Sequence, residues 1–379
     1  MEMITQGANT QQRVIVLAGA GASVHIGLPT LDDLLQRAVL GNDETADLIR
    51  ESRNSIEADA SRYKKAVFEE LIVRIREYLR ITHALRTDPT LRRVVGNIPH
   101  EVDNGTSEVK WKKALTRCFR VLLDEYGPIK VDHTRSEFQV TLDLLARLAE
   151  VNKGNLHIFT TNYDCSYQVL AAKCETMRFA THINNLNGKF REQWNCVLPE
   201  LTSRSLPTVY VHRLHGCVAW FTACNGNDDL GMNCASIEEA YGAGENLTID
   251  DDDYLNNMCI KLIAAQLVGT NPVFSTAFEE FSEHLKTCDT LLAWGYSFRD
   301  LEVMRQINHV VATRQKPLRI RYIDPFLPQE KAIQNIRSTF HAVPTPLSRE
   351  LIPERIEWRI GDGFKGLVET ISKELNKEV

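Results

Sequence analysis

An apolar, β-branched run, Val14-Ile15-Val16-Leu17, stops abruptly in Ala18-Gly19-Ala20-Gly21-Ala22-Ser23. Consecutive apolar residues without alternation describe a strand covered on both faces, the condition of a strand inside a parallel sheet. The small residues that follow make a turn that other backbone, or a ligand, can approach closely. After Gly27-Leu28-Pro29-Thr30 the pattern turns helical at Leu31-Asp32-Asp33-Leu34-Leu35, with Thr30 placed as the N-cap and two acids in the first turn. This β-turn-α unit is how a doubly wound sheet begins.

Strand-like runs return at Leu156–Thr160, Val209–Leu214, Thr290–Trp294 and Leu318–Ile323, most of them followed by a turn and a helical stretch. Between the first run and these, residues 41–150 read as helix. Phe68, Leu71, Ile72, Ile75 and Leu79 share one face, and Trp111, Leu115, Cys118 and Leu122 repeat the period. The expected fold is α/β, a Rossmann-like doubly wound parallel sheet with an inserted helical subdomain and no zinc ribbon. The main domain is expected to comprise residues 1–40 and 151–379, and the inserted subdomain residues 41–150. Residues 224–256, rich in Asn, Asp and Gly and including Asp250 to Asp253, read as a long surface excursion.

Composition removes several alternatives. The 379 residues are 43% apolar and 25% charged, enough to bury a full core and unlike a disordered chain. With 44 Lys and Arg against 50 Asp and Glu the net charge is −6, which argues against a surface built to neutralise phosphate backbones. The basic run from Arg314 to Arg321 reads as a solvated linker, and no direct nucleic-acid binding is expected. No stretch reaches 18 apolar residues and residues 1–13 are polar, so no membrane association and a cytoplasmic location are expected. The nine cysteines are odd in number and no two are spaced C-x-x-C, so reduced, buried thiols and no metal are expected.

Five constellations lie at strand ends, where open α/β sheets place their ligands. Gly19-Ala20-Gly21-Ala22-Ser23 suits a phosphate or ribose, or is simply a turn packing a helix on a strand. Thr160-Thr161-Asn162-Tyr163-Asp164 brings hydrogen-bonding side chains to the second strand end, with Asn162 and Asp164 on one side; otherwise Asn162 caps a helix starting near Asp164. In Val211-His212-Arg213-Leu214-His215-Gly216, His215 follows the apolar run into a turn and is the better general base, while His212 alternates to the other side. Gly295-Tyr296-Ser297 closes the fourth strand. Asp324 ends the fifth, and Gly361-Asp362-Gly363-Phe364 precedes a last helix.

In this order the constellations resemble the NAD-binding core of the sirtuin family. The residues that carry the resemblance are Gly19-Ala20-Gly21-x-Ser23 with Gly27-x-Pro29, Thr161-Asn162-x-Asp164, Leu214-His215-Gly216, Gly295-x-Ser297 and Asp324, bracketing about residues 13–325. Sirtuin deacylases usually carry two C-x-x-C pairs after the His-Gly motif. Here the region after that motif offers only Cys217, Cys224 and Cys234, Thr161 stands where those enzymes have glutamine, and Thr30-Leu31-Asp32 replaces their acid–Phe–Arg run. Thr-Thr-Asn-Tyr-Asp, Leu-His-Gly followed by Trp220, and Gly-Tyr-Ser-Phe-Arg-Asp are similar instead to divergent bacterial sirtuin-like effectors of antiphage defence.

That resemblance implies hydrolysis of NAD+ as substrate to nicotinamide and ADP-ribose, depleting NAD+ in abortive infection. It implies Asn162, His215 and Asp164 as catalytic. It implies Gly19, Ala20, Gly21, Ser23, Pro29, Thr161, Gly295, Tyr296, Ser297, Asp324, Gly361, Asp362, Gly363 and Phe364 as NAD+-binding. An NAD+-depleting enzyme needs a switch, and none is visible as a sensor domain. Assembly is therefore expected, as a homo-oligomer and with a HerA-type ATPase or, alternatively, a short Argonaute carrying guide nucleic acid. An NAD-dependent protein deacylase and a non-catalytic NAD or ADP-ribose sensor remain as alternatives. No arginine can be placed at a 2′-phosphate, so NAD+ and NADP+ are not distinguished.

Overall fold

The computed structural model describes residues 13–24, 26–59, 67–127, 130–181, 206–221, 258–260, 272–314, 316–324, 327–340 and 354–355, with the single positions 369 and 373. The described strands are β1 (Val14–Ala18), β2 (Asn155–Thr160), β3 (Arg178–Thr181), β4 (Thr208–Arg213), β5 (Gly216–Phe221), β6 (Met258–Ile260), β7 (Thr290–Trp294), β8 (Arg319–Ile323) and β9 (Glu354–Arg355). Seven of them form one sheet in the order β3-β4-β2-β1-β7-β8-β9, every neighbouring pair parallel. The expected α/β doubly wound architecture is the observed one. β5 and β6 pair antiparallel in a separate two-stranded ribbon.

β1 is central, and all five of its residues are buried, which is why its sequence does not alternate. Val14, Val16 and Ala18 face one layer and Ile15 and Leu17 the other. The first layer is formed by α2 (Leu31–Ala38), α3 (Glu44–Asp59), α4 (Val67–Thr87), α7 (Thr106–Tyr126), α8 (Ser136–Val151) and α9 (Ser166–Lys173). The short α1 (Ala20–Val24) leaves the first turn, and α5 (Pro89–Val95) and α6 (His100–Asp103) lie beside α4 and α7. The second layer holds α10 (Pro272–Thr287), α11 (Leu301–Thr313) and α12 (Gln329–Phe340). One apolar cluster runs without interruption from Val16 and Ile158 of the sheet to Phe68, Leu71, Ile75, Cys118 and Leu122 of the helical segment.

α2 begins where the residue pattern places it. Thr30 Oγ1 accepts from the Asp33 amide at 3.3 Å, and Asp33 Oδ2 accepts from the Thr30 amide at 2.8 Å, a complete capping box. Those hydrogen bonds hold the Asp33 carboxyl below its ordinary range. β3, β6 and β9, of two to four residues, escape the sequence pattern, and so does the six-residue β5, which begins at Gly216, where a turn was expected to lead away from strand. Cys118, Cys165, Cys217 and Cys288 are buried thiols outside any disulfide among the described residues. The excursion at 224–256, Cys224, Cys234 and the Gly361-Asp362-Gly363-Phe364 turn lie outside the described residues.

The chain leaves β1 toward β2 on one side of the sheet and later returns to β7 on the other, so the C-terminal ends of β1 and β7 flank the point where strand order reverses. That crevice is the ligand position in open α/β sheets.

Candidate active site

The two turns at this point are built against each other. The Gly19 amide donates to the Trp294 carbonyl at 2.9 Å, the Gly21 amide to the Gly295 carbonyl at 3.0 Å, and the Gly295 amide to the Ile323 carbonyl at 2.7 Å. A Cβ on Gly19 would sit 2.6 Å from the Gly295 carbonyl oxygen, and one on Gly21 would sit 2.8 Å from Gly295 Cα and 3.3 Å from Asp324 Oδ2. The glycines therefore serve backbone contact between strand ends. The sequence expectation that this turn offers its amides to a phosphate is corrected for Gly19 and Gly21, whose N–H groups are already taken by the β7 turn.

Asp324 is buried beside Gly21 at the end of β8, its Oδ1 accepting from the Leu327 amide at 3.0 Å. The β7 turn continues through Phe298, which is fully buried with φ +57°, a conformation side-chain-bearing residues hold only when their surroundings impose it. Tyr296, expected at the ligand, is packed edge-on against Phe298 in the second core layer, so its side chain supports the turn. Ser297 Oγ accepts from Arg299 Nε at 3.1 Å. The Thr161 amide donates to the Ala18 carbonyl at 3.0 Å, tying the ends of β1 and β2. The Pro29 carbonyl accepts from the Tyr126 hydroxyl at 3.1 Å.

Ser23, Asn162 and Asp164 come together, although they stand 139 and 141 positions apart. Ser23 Oγ donates to Asp164 Oδ2 at 2.6 Å and accepts from Asn162 Nδ2 at 2.8 Å. Since the Ser23 proton is committed to the carboxylate, Asn162 must present its NH₂ to Ser23, which fixes the amide orientation. Asn162 Oδ1 is then turned away. It is buried with no hydrogen-bond partner among the described residues, in a side chain only 5% exposed. Asn162 does not cap α9: the N-cap position is Cys165, without a side-chain cap, and Asp164 Oδ1, one residue earlier, accepts from the Ser166 amide at 2.9 Å. One Asp164 oxygen thus accepts from the Ser23 hydroxyl and the other from the Ser166 amide.

His215 sits at the end of β4, 1% exposed, with Nε2 2.7 Å from Asp300 Oδ2. Its Nδ1 is buried with no hydrogen-bond partner among the described residues. Asp300 is also the N-cap of α11, Oδ1 accepting from the amides of Glu302 and Val303 at 2.9 and 3.3 Å. Burial alone would raise the Asp300 carboxyl. The His215 ring and the two amides outweigh it and hold it below its ordinary range.

Three further groups, none assigned a role from the sequence, lie at the site. The Arg213 guanidinium is buried, donating from Nη1 to the Asn162 carbonyl at 3.1 Å and from Nη2 to Gln168 Oε1. Tyr163 lies along the His215 ring at 6.2 Å between centroids and donates its hydroxyl to Glu69 Oε1 at 2.7 Å. Glu69 comes from α4, so the helical segment 41–150 reaches the site. In sequence its one anomaly is an acid next to the apolar face of α4, indistinguishable there from a solvated residue.

Burial raises the Glu69 carboxyl to about 7, with Asp300 pushing the same way and Tyr163 and His215 opposing. The folded chain thus keeps a proton that the unfolded chain releases near 4.5. Its contribution to stability is complete below pH 4.5 and is lost as pH rises through 7, by about 3 kcal/mol in all. Glu69→Gln mimics the protonated form and lacks this slope. Urea unfolding of both proteins should show stabilities that differ by a constant at pH 4.5 and below. Between pH 4.5 and 7 the variant should gain on the parent. Parallel profiles through this window would mean that Glu69 is already charged in the folded protein.

No protein-family model and no curated protein sequence matches the chain. Among solved structures it is similar to one determined for the structural basis of sirtuin substrate affinity, at 13% identity and a TM-score of 0.42, covering 98% of this chain and 95% of the other. It is similar to Sir2Tm bound to a propionylated peptide, at 13% identity and a TM-score of 0.42, covering 98% and 94%. It is also similar to a Sir2 homologue in complex with NAD, at 12% identity and a TM-score of 0.38, covering 96% and 90%. Among the described residues no helix is long and apolar enough to cross a membrane.

Proposed function

We propose that the chain is an NAD+ glycohydrolase, cleaving the nicotinamide–ribose bond with water as the nucleophile. The observation that supports this most is the pair of buried, unpartnered acceptor or donor atoms, Asn162 Oδ1 and His215 Nδ1, at the C-terminal ends of the neighbouring strands β2 and β4. Leaving such atoms unsatisfied is unfavourable by about 1–3 kcal/mol each, so they mark positions that a ligand or water completes. Asp324, beside Gly21 at the end of β8, offers a carboxylate suited to a ribose diol at the strand crossover.

Nicotinamide is already a good leaving group, so the residues need to position and to move one proton. Asn162 Oδ1, held by Ser23 and Asp164, orients water or the ribose. His215, held by Asp300, accepts a proton from water or a ribose hydroxyl. The site lies in a main domain of residues 1–40 and 151–379, with 41–150 as an insertion that lends Glu69. The resemblance to antiphage effectors extends the proposal to NAD+ depletion in abortive infection, by a cytoplasmic homo-oligomer that a HerA-type ATPase switches on.

The test is nicotinamide release from NAD+ by the purified chain, alone and with a HerA-type ATPase, beside Asn162→Ala. Release that falls at least about 100-fold in the variant supports the proposal. Turnover only with an acylated peptide makes the chain a deacylase, and tight NAD+ binding without release under either condition makes it a sensor; both outcomes overturn the hydrolase.

A further inference from the structure

On the α10 face of the sheet, away from the strand ends, three histidines from three elements meet. His157 of β2 and His212 of β4 project to the same face as Phe159, and His284 comes down from the last turn of α10 beside Phe281. His157 Nδ1 lies 3.1 Å from His212 Nε2. The ring centroids of His157 and His284 are 3.7 Å apart, and one nitrogen from each of the three rings lies within 4.8 Å of the other two.

We propose that His157, His212 and His284 form a binding site for a divalent transition metal of the zinc class, clamping α10 to β2 and β4. Two nitrogens on one tetrahedral zinc lie about 3.3 Å apart, since each zinc–nitrogen bond is about 2.0–2.1 Å. The His157–His212 pair already has that spacing. The separations to the third nitrogen are at most 4.8 Å, and closing them requires the half-buried His284 ring to turn toward the pair. Imidazole is the ligand type shared by zinc, copper and nickel sites, and three of them leave a fourth position for water.

The surroundings favour the neutral, ligating form of the rings. Burial, and then the neighbouring His284, push His157 down to about 3; burial and Arg13 lower His284, against the opposing charge of Glu283. Glu280, one turn before His284 on α10, places Oε2 3.7 Å from His284 Nε2, where a carboxylate orients a ligating ring or balances its charge. His212 is buried while His157 and His284 are half-buried, so the set is anchored inside and open on one side. Dispersed at positions 157, 212 and 284, these residues form no spacing motif. The expectation of no metal rested on the cysteines alone.

The experiment is titration of the full, chelator-treated chain with Zn2+ and, as a spectroscopic probe, Co2+. One ion per chain is expected, with a tetrahedral cobalt spectrum lacking a thiolate charge-transfer band, and with a Zn2+-dependent rise in Tm. His157→Gln and His284→Gln should each weaken Zn2+ binding at least tenfold. Absence of uptake by the unaltered chain overturns the site. So does a thiolate band in its cobalt spectrum, which needs no variant to fold and would place the ion on cysteines, and so does unchanged affinity in the double variant.

Discussion

His215→Ala should lower nicotinamide release by at least about 100-fold, the usual scale of a lost general base. The expectation rests on the two faces of one ring. Nε2 is committed to Asp300, at 2.7 Å, and Nδ1 is buried without a partner. An imidazole held at one nitrogen by a carboxylate has its orientation and tautomer set for proton transfer at the other. Asp300→Asn separates this role from structure. Asparagine is as good an N-cap as aspartate, so α11 keeps its cap and Tm should change little. The negative charge facing the ring is lost, and turnover should fall about 10- to 100-fold. Measuring kcat and thermal unfolding on the same preparations decides it. Full activity in His215→Ala would remove the residue from the chemistry, and a large drop in Tm in Asp300→Asn with unchanged kcat would make the pair structural.

Gly295→Ala should destabilise the protein by about 4 kcal/mol or more, beyond the range of ordinary surface substitutions. Its φ of +58° is mildly unfavourable for alanine, but sterics dominate. The added Cβ would lie 2.1 Å from the Ala22 nitrogen and 2.2 Å from the Gly21 carbonyl carbon. Both obstacles are backbone, so no rotamer relieves them; the β1 and β7 turns must separate, breaking the Gly21 amide bond to the Gly295 carbonyl. Chemical denaturation should show the loss. Gly154→Ala is the matched control: its φ is also positive, at +95°, but nothing lies within 4 Å of its Cβ. A Gly295→Ala protein no less stable than Gly154→Ala would show that the two turns are not packed as described.

The elements of the fold were legible wherever burial leaves a periodic mark. β1, β2, β4, β7 and β8 were each found within a residue of their observed ends: β1 and β7 are buried throughout and written as near-continuous apolar runs, while β2, β4 and β8 carry buried apolar residues at alternate positions, Leu156 and Ile158, Val209 and Val211, Ile320 and Tyr322. Thr30 and Asp33 announced α2 because a capping box is local, with both partners within three residues. β3, β6 and β9 were not legible, being too short to show a period, and β5 was not because it starts at Gly216, directly after the turn that carries His215.

The sequence by itself determined the sheet, the helical segment after its first strand, and small or polar residues at the ends of β1, β2, β4, β7 and β8. Those features follow from local geometry and from burial. Only the tertiary structure decided which of these groups meet. Strand order 3-4-2-1-7-8-9 sets the ends of β1, β2 and β7 side by side, so Ser23 finds Asn162 and Asp164, and Gly21 finds Gly295. The same packing brings Asp300 to His215, Glu69 to Tyr163 and His284 to His157 and His212. A buried polar side chain is tolerated only beside a partner, and here the partners lie tens to hundreds of residues away. No local pattern encodes such a distance; the crossovers of the parallel sheet do.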